Sequence, residues 1–235
     1  LTLPALEVAV LAPNRKGGER AIAAGAHKIT VPVSVSRAHA LANVNRPPDE
    51  AIAGVAELVA IRDDQPEDRR PAIEGGLSTV FGCSIEGAVP EDEVVRLAVA
   101  LAEAGVDAIG LADTAGMADP AQVRRVIGKV RAAVGEKLDG VHLHNTNGLG
   151  LANAYAAFEE GVRTFDASQA GLGGCPFAPG ASGNIVTEDL VHMLHRMGVE
   201  TGVDLDRLIA ARRILAEAMP DEPLHGFAPN LREAA

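Results

Sequence analysis

The sequence has little of what marks several large protein classes. Cysteine is nearly absent: Cys83 and Cys175 are the only two among 235 residues. Two cysteines build no disulfide framework, which points to a reducing compartment. No run of about 18 or more apolar residues occurs, so no transmembrane helix and no membrane partner is expected. The N-terminal Leu1-Thr-Leu-Pro-Ala5 has no basic n-region and hence no visible signal peptide, which makes the cytoplasm the expected location. Positive charge is in deficit, with 21 Lys plus Arg against 32 Asp plus Glu and a net charge of −11. Without a Lys/Arg block to form a basic face, nucleic acid is excluded as a partner. The sequence also opens without an initiator Met, directly before a strand-like segment, as a fragment would.

What is present is the composition of an ordinary globular protein, 47% hydrophobic and 23% charged, which excludes wholesale disorder. One unit repeats along it: a short β-branched run, a loop, then an Ala/Leu/Val-rich helix ending in Gly. Strands are expected at Glu7–Leu11, Lys28–Val35, Leu77–Phe81, Ala108–Ala112, Gly140–His144 and Arg163–Ala167, with a seventh, short one near Gly183–Val186. Helices are expected at Gly18–Ala24, Glu50–Ile61, from Pro90 to Gly105, after Asp119-Pro120, and at Leu151–Glu159, Glu188–Met197 and Leu205–Met219, with a loop over Arg62–Pro71. Three helix ends repeat almost verbatim: AAGAHKITV (23–31), AEAGVDAIGL (102–111) and EEGVRTFDA (159–167). Strands alternating with helices imply a parallel sheet with helical crossovers. No G-x-G-x-x-G follows the first strand, which weakens an open dinucleotide-binding sheet and favours an α/β fold of the (β/α)8 TIM-barrel type. The expectation is one barrel domain over residues 1–235, beginning one β/α unit late.

Val141-His142-Leu143-His144 is the sharpest local feature. Residues two apart on a strand share a face, so His142 and His144 point the same way, toward the mouth where barrel active sites sit. Neutral imidazole is a common metal ligand, although the pair could equally be hydrogen-bonded inside the barrel. The second feature is the loop from Gly171 to Gly183, in which seven positions are Gly or Pro. Such a segment can form a lid. Cys175 sits at its centre, where a thiol meets a bound substrate rather than a packed core. Asn184 follows, as an oxygen donor at the same mouth or as the N-cap of the next helix. Oxygen with imidazole suits Mg2+ or Mn2+ better than a thiolate-seeking metal. Asp113 closes its strand at the same end, to orient a ligand, transfer a proton or cap the next loop.

Gly171-Leu-Gly-Gly-Cys-Pro-Phe-Ala-Pro-Gly-Ala-Ser-Gly-Asn184-Ile-Val-Thr-Glu-Asp-Leu190 resembles the signature of the 3-hydroxy-3-methylglutaryl-CoA lyases. His142-x-His144, Ala112-Asp-Thr-Ala-Gly116, Ala12-Pro-Asn-Arg-Lys-Gly17, Phe81-Gly-Cys-Ser-Ile-Glu-Gly87 and Ser34-x-Ser-x-x-His39 fall in that family's order. The resemblance implies cleavage of a β-hydroxy-β-methyl acyl-CoA to acetyl-CoA and a ketoacid by a retro-Claisen reaction. It implies a divalent cation, Mg2+ or Mn2+, on His142, His144 and Asn184, which would lower the pKa of the substrate hydroxyl. It also implicates Cys175 as the acid that protonates the departing carbon, Asp113 as a catalytic acid and Glu188 near the metal site. An acyl-CoA partner and a homo-oligomer, dimer or tetramer, go with it.

The departures are specific. The family's first strand carries an Arg-Asp pair, and no such strand precedes Leu1. Gly76 stands where Tyr is frequent, and Asn145 and Asn147 stand where Asp and Tyr are frequent, which alters the pocket wall and leaves the acyl group open. Arg15, Lys16, Arg37 and Arg46 follow the first two strands, where they meet CoA phosphates or are scattered surface charges. Two alternatives to the lyase are a Claisen-type synthase on the same barrel, against which the cysteine loop argues, and a non-catalytic barrel that binds a CoA ester.

Overall fold

The computed structural model describes residues 6–173 and 183–229. The chain runs β1 (Ala9–Leu11), α1 (Arg15–Ala23), β2 (Lys28–Ser34), α2 (Arg37–Val44), α3 (Pro48–Asp63), β3 (Ala72–Ser78), α4 (Glu91–Glu103) and β4 (Ala108–Asp113). It continues with α5 (Pro120–Val134), β5 (Leu138–Leu143), α6 (Gly150–Glu159), β6 (Thr164–Asp166), α7 (Thr187–Arg196) and α8 (Leu205–Ala218). Local chemistry fixes the helix starts. Asn14 accepts from the Gly17 N–H, Ser36 from His39, and Asp119 from Ala121 and Gln122 ahead of Pro120. The acids Glu91, Asp92 and Glu93 meet the positive end of α4.

The three repeated helix ends share one geometry. Gly25, Gly105 and Gly161 have φ of 76, 88 and 86°, and the next residue donates back to the carbonyl five positions earlier: Ala26 to Ala21, Val106 to Leu101, Val162 to Ala157. This is the Schellman closure, which needs a left-handed residue and so favours Gly. It turns the chain sharply enough to start the neighbouring strand two to three residues later.

All six strands are parallel and lie in sequence order, β1-β2-β3-β4-β5-β6. A doubly wound sheet reverses its order partway; a sequential one is wound in a single sense, as in a barrel. The outward residues of the strands, Ile29, Val31, Val33, Ile73, Leu77, Ile109, Leu111 and Leu143, are buried in one core with Leu58, Leu97, Leu101, Val123, Ile127 and Val130 of the helices. Among the described residues this is a six-stranded arc rather than a closed barrel of eight. Beyond β6, the segment expected as a seventh strand contributes only single bridges, Asn184 to His144 and Val186 to Ser168.

One strand, β3, and one helix, α2, depart most from expectation. Strand β3 begins at Ala72, not Leu77, because Glu74-Gly75-Gly76, which resembles a turn in isolation, is held extended from outside. Glu74 turns inward to an ion pair with Lys28 on β2, and Gly75 faces Leu101, whose Cδ1 would lie 2.7 Å from a Cβ there. Helix α2 was not expected; Ser36 caps it and the left-handed Asn45 closes it.

Candidate functional site

Inward-facing residues of the arc fall into layers set by strand register. One row is Thr30 and Glu74, paired across β2 and β3, with Ala108 opposite Glu74 on β4. The next is Pro32, Gly76, Gly110, Gly140 and Thr164. The row nearest the strand C-termini holds Ala112, His142 and Asp166. These layers enclose a cavity of about 560 Å³ that reaches from Glu74 to His142, His144 and Asn184, within the range of small-molecule sites.

The two histidines meet as their spacing requires. His142 Nε2 lies 3.2 Å from His144 Nε2, and His142 Nδ1 lies 3.3 Å from Asp166 Oδ2. Two ligands about 2.1 Å from one cation and at right angles sit about 3 Å apart, so this separation fits a shared ion. His144 is 4% exposed, and its pKa is lowered to about 4, chiefly by burial and then by the His142 charge. It is therefore neutral, the form that binds metal. Among the described residues its Nδ1 has no hydrogen-bond partner.

Asn184 supplies the third donor. Its Nδ2 donates to the carbonyls of Leu172 (2.8 Å) and Gly173 (3.2 Å), which fixes the amide orientation and leaves Oδ1 buried beside His144, without a hydrogen-bond partner among the described residues. The alternative role is not realised, since α7 is preceded by Val186 at its N-cap and has no side-chain cap. Among the described residues no three His, Cys, Asp or Glu side chains form a group that could hold a metal ion; the Asn184 side chain is a further oxygen donor lining the cavity with the two imidazoles. Two imidazoles and an amide oxygen with unused lone pairs suit a divalent cation of the Mg2+ or Mn2+ kind.

Asp113 and Glu188 do not reach the cavity. Asp113 lies on the helix-facing side of β4, where its carboxylate accepts from the N–H groups of Met117 (2.8 Å) and Ala118 (3.2 Å). Burial pushes its pKa up to about 6 against those bonds. Glu188, 0% exposed, accepts from Ala170 N–H (3.0 Å) and from Arg212 Nη1 (2.7 Å). Both carboxylates hold backbone at the rim of the site, and neither lines the cavity.

Cys175, with the stretch 174–182 of the expected lid, lies outside the described residues. The two feet of that loop are described, and they adjoin the histidines. Asn184 N–H donates to Gly173 O (3.1 Å) and Asn145 N–H to Gly183 O (3.3 Å); a Cβ at Gly183 would fall onto the carbonyl of Gly171.

Sequence reasoning overlooked two groups as site residues. His39 is buried and lines the cavity; Ser34 Oγ sits 2.7 Å from its Nδ1, and its Nε2 has no partner among the described residues. Glu74 and Lys28 pair at the inner end of the cavity, and burial raises the pKa of Glu74. Their spacing, a charged residue two before a Gly and one at the head of a β-branched strand, carries no motif. Of the departures from the family pattern, Gly76 lines the cavity. Asn145 instead accepts from Gly150 N–H, and Asn147 donates to Gly116 O. Arg15 pairs with Glu19 at 2.8 Å and, with Lys16 and Arg46, flanks a surface depression at the start of α1.

The HMGL-like family model matches residues 4–215. The hydroxymethylglutaryl-CoA lyase YngG of Bacillus subtilis is 38% identical over 90% of this chain and 69% of its own length. The (R)-citramalyl-CoA lyase of Chloroflexus aurantiacus is 39% identical over 86% of this chain and 62% of its own. A solved HMG-CoA lyase from Acinetobacter baumannii, in complex with coenzyme A and 3-methylmalate, superposes with a TM-score of 0.89 at 41% identity, covering 100% of this chain and 74% of that one. The chain thus spans between 44% and 69% of the length of the first curated relatives it matches. A parallel arc wound in one sense, with paired imidazoles at its C-terminal end and this breadth of sequence agreement, has one consistent reading: the chain belongs to the HMGL-like family.

Proposed function

We propose that the protein is a divalent-metal-dependent lyase that cleaves 3-hydroxy-3-methylglutaryl-CoA, or a close acyl-CoA, to acetyl-CoA and a ketoacid. The observation that carries the reading is the convergence of His142, His144 and the Asn184 oxygen at the mouth of the cavity. The names of relatives at 35–39% identity, several of them hydroxymethylglutaryl-CoA lyases, support it.

His142, His144 and Asn184 would hold the cation, Mg2+ or Mn2+. When bound, it supplies a Lewis acid that binds substrate oxygens and makes the tertiary hydroxyl easier to deprotonate. The chain's own residues prepare that chemistry. Asp166 beside Nδ1 fixes the ring of His142, and burial keeps His144 unprotonated. Transfer of the hydroxyl proton to a general base lets the O–H electron pair become the ketoacid carbonyl while the adjacent C–C bond breaks and its pair passes to the thioester side. The acetyl-CoA enolate so formed must take up a proton at carbon, and Cys175 on the loop is the proposed donor. Asp113 and Glu188 act on this site through backbone: Asp113 sets the turn after β4 that presents Thr114 to the cavity, and Glu188 sets the foot of the loop at Ala170. Arg15, Lys16 and Arg46 are the proposed contacts for CoA phosphates at the rim.

The test is acetyl-CoA release from 3-hydroxy-3-methylglutaryl-CoA by the full-length protein with Mn2+, repeated with excess EDTA. Release that EDTA abolishes is expected. Absence of release from folded, Mn2+-loaded protein overturns this substrate. A Cys175→Ser variant with undiminished turnover overturns the role of the thiol.

A further inference from the structure

The row directly beneath the histidines is made of Gly76, Gly110 and Gly140 on three adjacent strands, in register with one another. Barrel interiors are normally filled by layers of bulky branched side chains contributed at such positions. Here three strands contribute no side chain: a Cβ would lie 2.7 Å from Glu74 Oε1 at Gly110, 3.1 Å from Thr164 at Gly140 and 3.1 Å from Thr30 Cγ2 at Gly76, and all three glycines line the cavity. Backbone conformation does not explain it, because none of the three glycines has the positive φ that disfavours a side chain. Only Gly110 adjoins an irregularity in the β4–β5 pairing. A glycine in a strand interior weakens the strand, and where no bend requires it, it marks a place that something else approaches closely.

The glycine layer lies one residue pair below the mouth. Gly140 and His142 are two apart on β5 and share its inner face, so the hollow begins about 6.6 Å down the strand from the imidazole pair. Its rim is Pro32 and Thr164. Its far end is closed by Glu74, whose Oε1 would lie 2.7 Å from a Cβ on Gly110. Around that end stand Lys28, which pairs with Glu74 and lies 3.5 Å from Asp139, and Asp166 near the mouth. Carboxylates outnumber the lysine there, so the pouch repels an anionic group.

We infer that the glycine layer is an acyl-side pouch, and that the preferred substrate carries at its hydroxyl-bearing carbon an uncharged substituent larger than methyl, of about three to five carbons, one side-chain layer deep. This rests on the lyase reading of the histidine site, since it is the carbon held at that site whose substituent enters the hollow. Gly76 is the specificity-determining position. Its Cβ would meet the Thr30 Cγ2 at 3.1 Å, which must give by a few tenths of an ångström, and the Val31 carbonyl at 3.8 Å, so a side chain there enters the pouch once Thr30 shifts.

The experiment uses the full-length protein with Mn2+ and a series of 3-hydroxy-3-alkylglutaryl-CoA esters from methyl to butyl. Binding of the matching non-cleavable thioether analogues is measured by calorimetry alongside. Each added methylene should raise kcat/KM about fourfold up to propyl, and tighten analogue binding in step. Gly76→Val should reverse the propyl-over-methyl preference, and Gly76→Ala should reduce it. Melting curves identify a variant that has failed to fold, in which case Gly76→Ala alone decides. Cleavage of the methyl ester with a flat or falling series overturns the pouch and leaves the lyase standing. Chain-length-dependent binding without cleavage of any ester supports the pouch and overturns the lyase. A series in which neither binding nor turnover depends on length, or whose preference survives Gly76→Val and Gly76→Ala, overturns the pouch.

Discussion

Replacing Glu188 separates a group that acts on the reactants from one that holds the site in shape. Its carboxylate is fully buried, pairs with an Arg212 side chain only 13% exposed, and takes the N–H of Ala170. Ala170 has φ of 59°, in the left-handed region unfavourable to a residue with a Cβ, and it immediately precedes the first foot of the 171–183 loop. Such a conformation costs on the order of 1–3 kcal/mol and persists only where the surroundings enforce it. Glu188 enforces it from one side, and the His225 N–H, donating to the Ala170 carbonyl at 3.0 Å, from the other.

Glu188→Ala strands the Arg212 guanidinium with the His225 carbonyl as its described partner and leaves the Ala170 N–H without its acceptor. Breaking a buried pair from one side costs about 3–5 kcal/mol. For a chain of this size each kcal/mol moves the melting temperature by about 2–4 °C. The expected fall is therefore roughly 6–20 °C by calorimetry. Glu188→Leu combined with Arg212→Leu should recover most of it, short of about 1–3 kcal/mol for the stranded Ala170 N–H. Glu188→Gln keeps an oxygen for Ala170 and gives an intermediate melting temperature with a smaller loss of turnover. The reasoning is refuted if Glu188→Gln melts within a degree of the parent yet loses turnover by more than a hundredfold, for then the carboxylate serves the reaction directly.

His144→Ala should weaken Mn2+ binding in calorimetric titration by a hundredfold or more, and Asp166→Asn, which only orients the His142 ring, by about 10–100-fold. Equal effects would place Asp166 on the metal. Acid stability follows from His144 and Asp113 with opposite signs. The folded His144 refuses a proton until about pH 4, whereas the unfolded chain takes it near 6.5, so stability falls on the order of 3 kcal/mol as pH drops between them. Asp113, raised from 3.8 to about 6, holds a proton in the folded state that the unfolded chain releases, so it offsets that loss between about pH 6 and 4. Urea melts at pH 7 and 4.5 should show His144→Asn losing less on acidification than the parent, and an equal loss would remove His144 from the account. Gly18→Ala should cost about 1–3 kcal/mol by overpacking, since its Cβ would lie 2.6 Å from Leu58 Cδ2 where α1 meets α3; a neutral result in chemical denaturation would mean that Leu58 repacks freely.

Much of this was legible because the signals are local. The Schellman glycines at 25, 105 and 161 announce each helix end, and Asp119-Pro120 announces the start of α5. The facing of His142 and His144 follows from the strand period alone. What was hidden depends on partners distant in sequence. Glu74 belongs to a strand because Lys28 and Leu101 receive it and its neighbour, and nothing in Ala72-Ile-Glu-Gly-Gly76 says so. Asp113 looks like a mouth residue by its position at the end of β4. Its odd register with Ile109 and Leu111 instead turns it to the helix side, into the backbone of 116–118. His39 lies on α2, which Ser36 caps and whose eight residues are too few for an apolar face to stand out from its surroundings.

The strand pattern itself holds the broader clue. A parallel strand covered on both faces reads as a continuous apolar run. Strand β2 instead alternates, with Ile29, Val31 and Val33 buried outward and Lys28, Thr30, Pro32 and Ser34 turned in, and β3 follows with Glu74, Gly76 and Ser78 inward. That alternation means the interior of the arc is not packed core. It carries an ion pair at one level, no side chains on three strands at the next, and two imidazoles at the third. On the proposed reading, choice of acyl group would reside in the sheet, at positions where a single methyl changes the volume available, and reactivity at its C-terminal rim. The two properties should thus be separable by mutation: substitutions at Gly76 change which ester is preferred, whereas substitutions at His144 lower turnover of all of them alike.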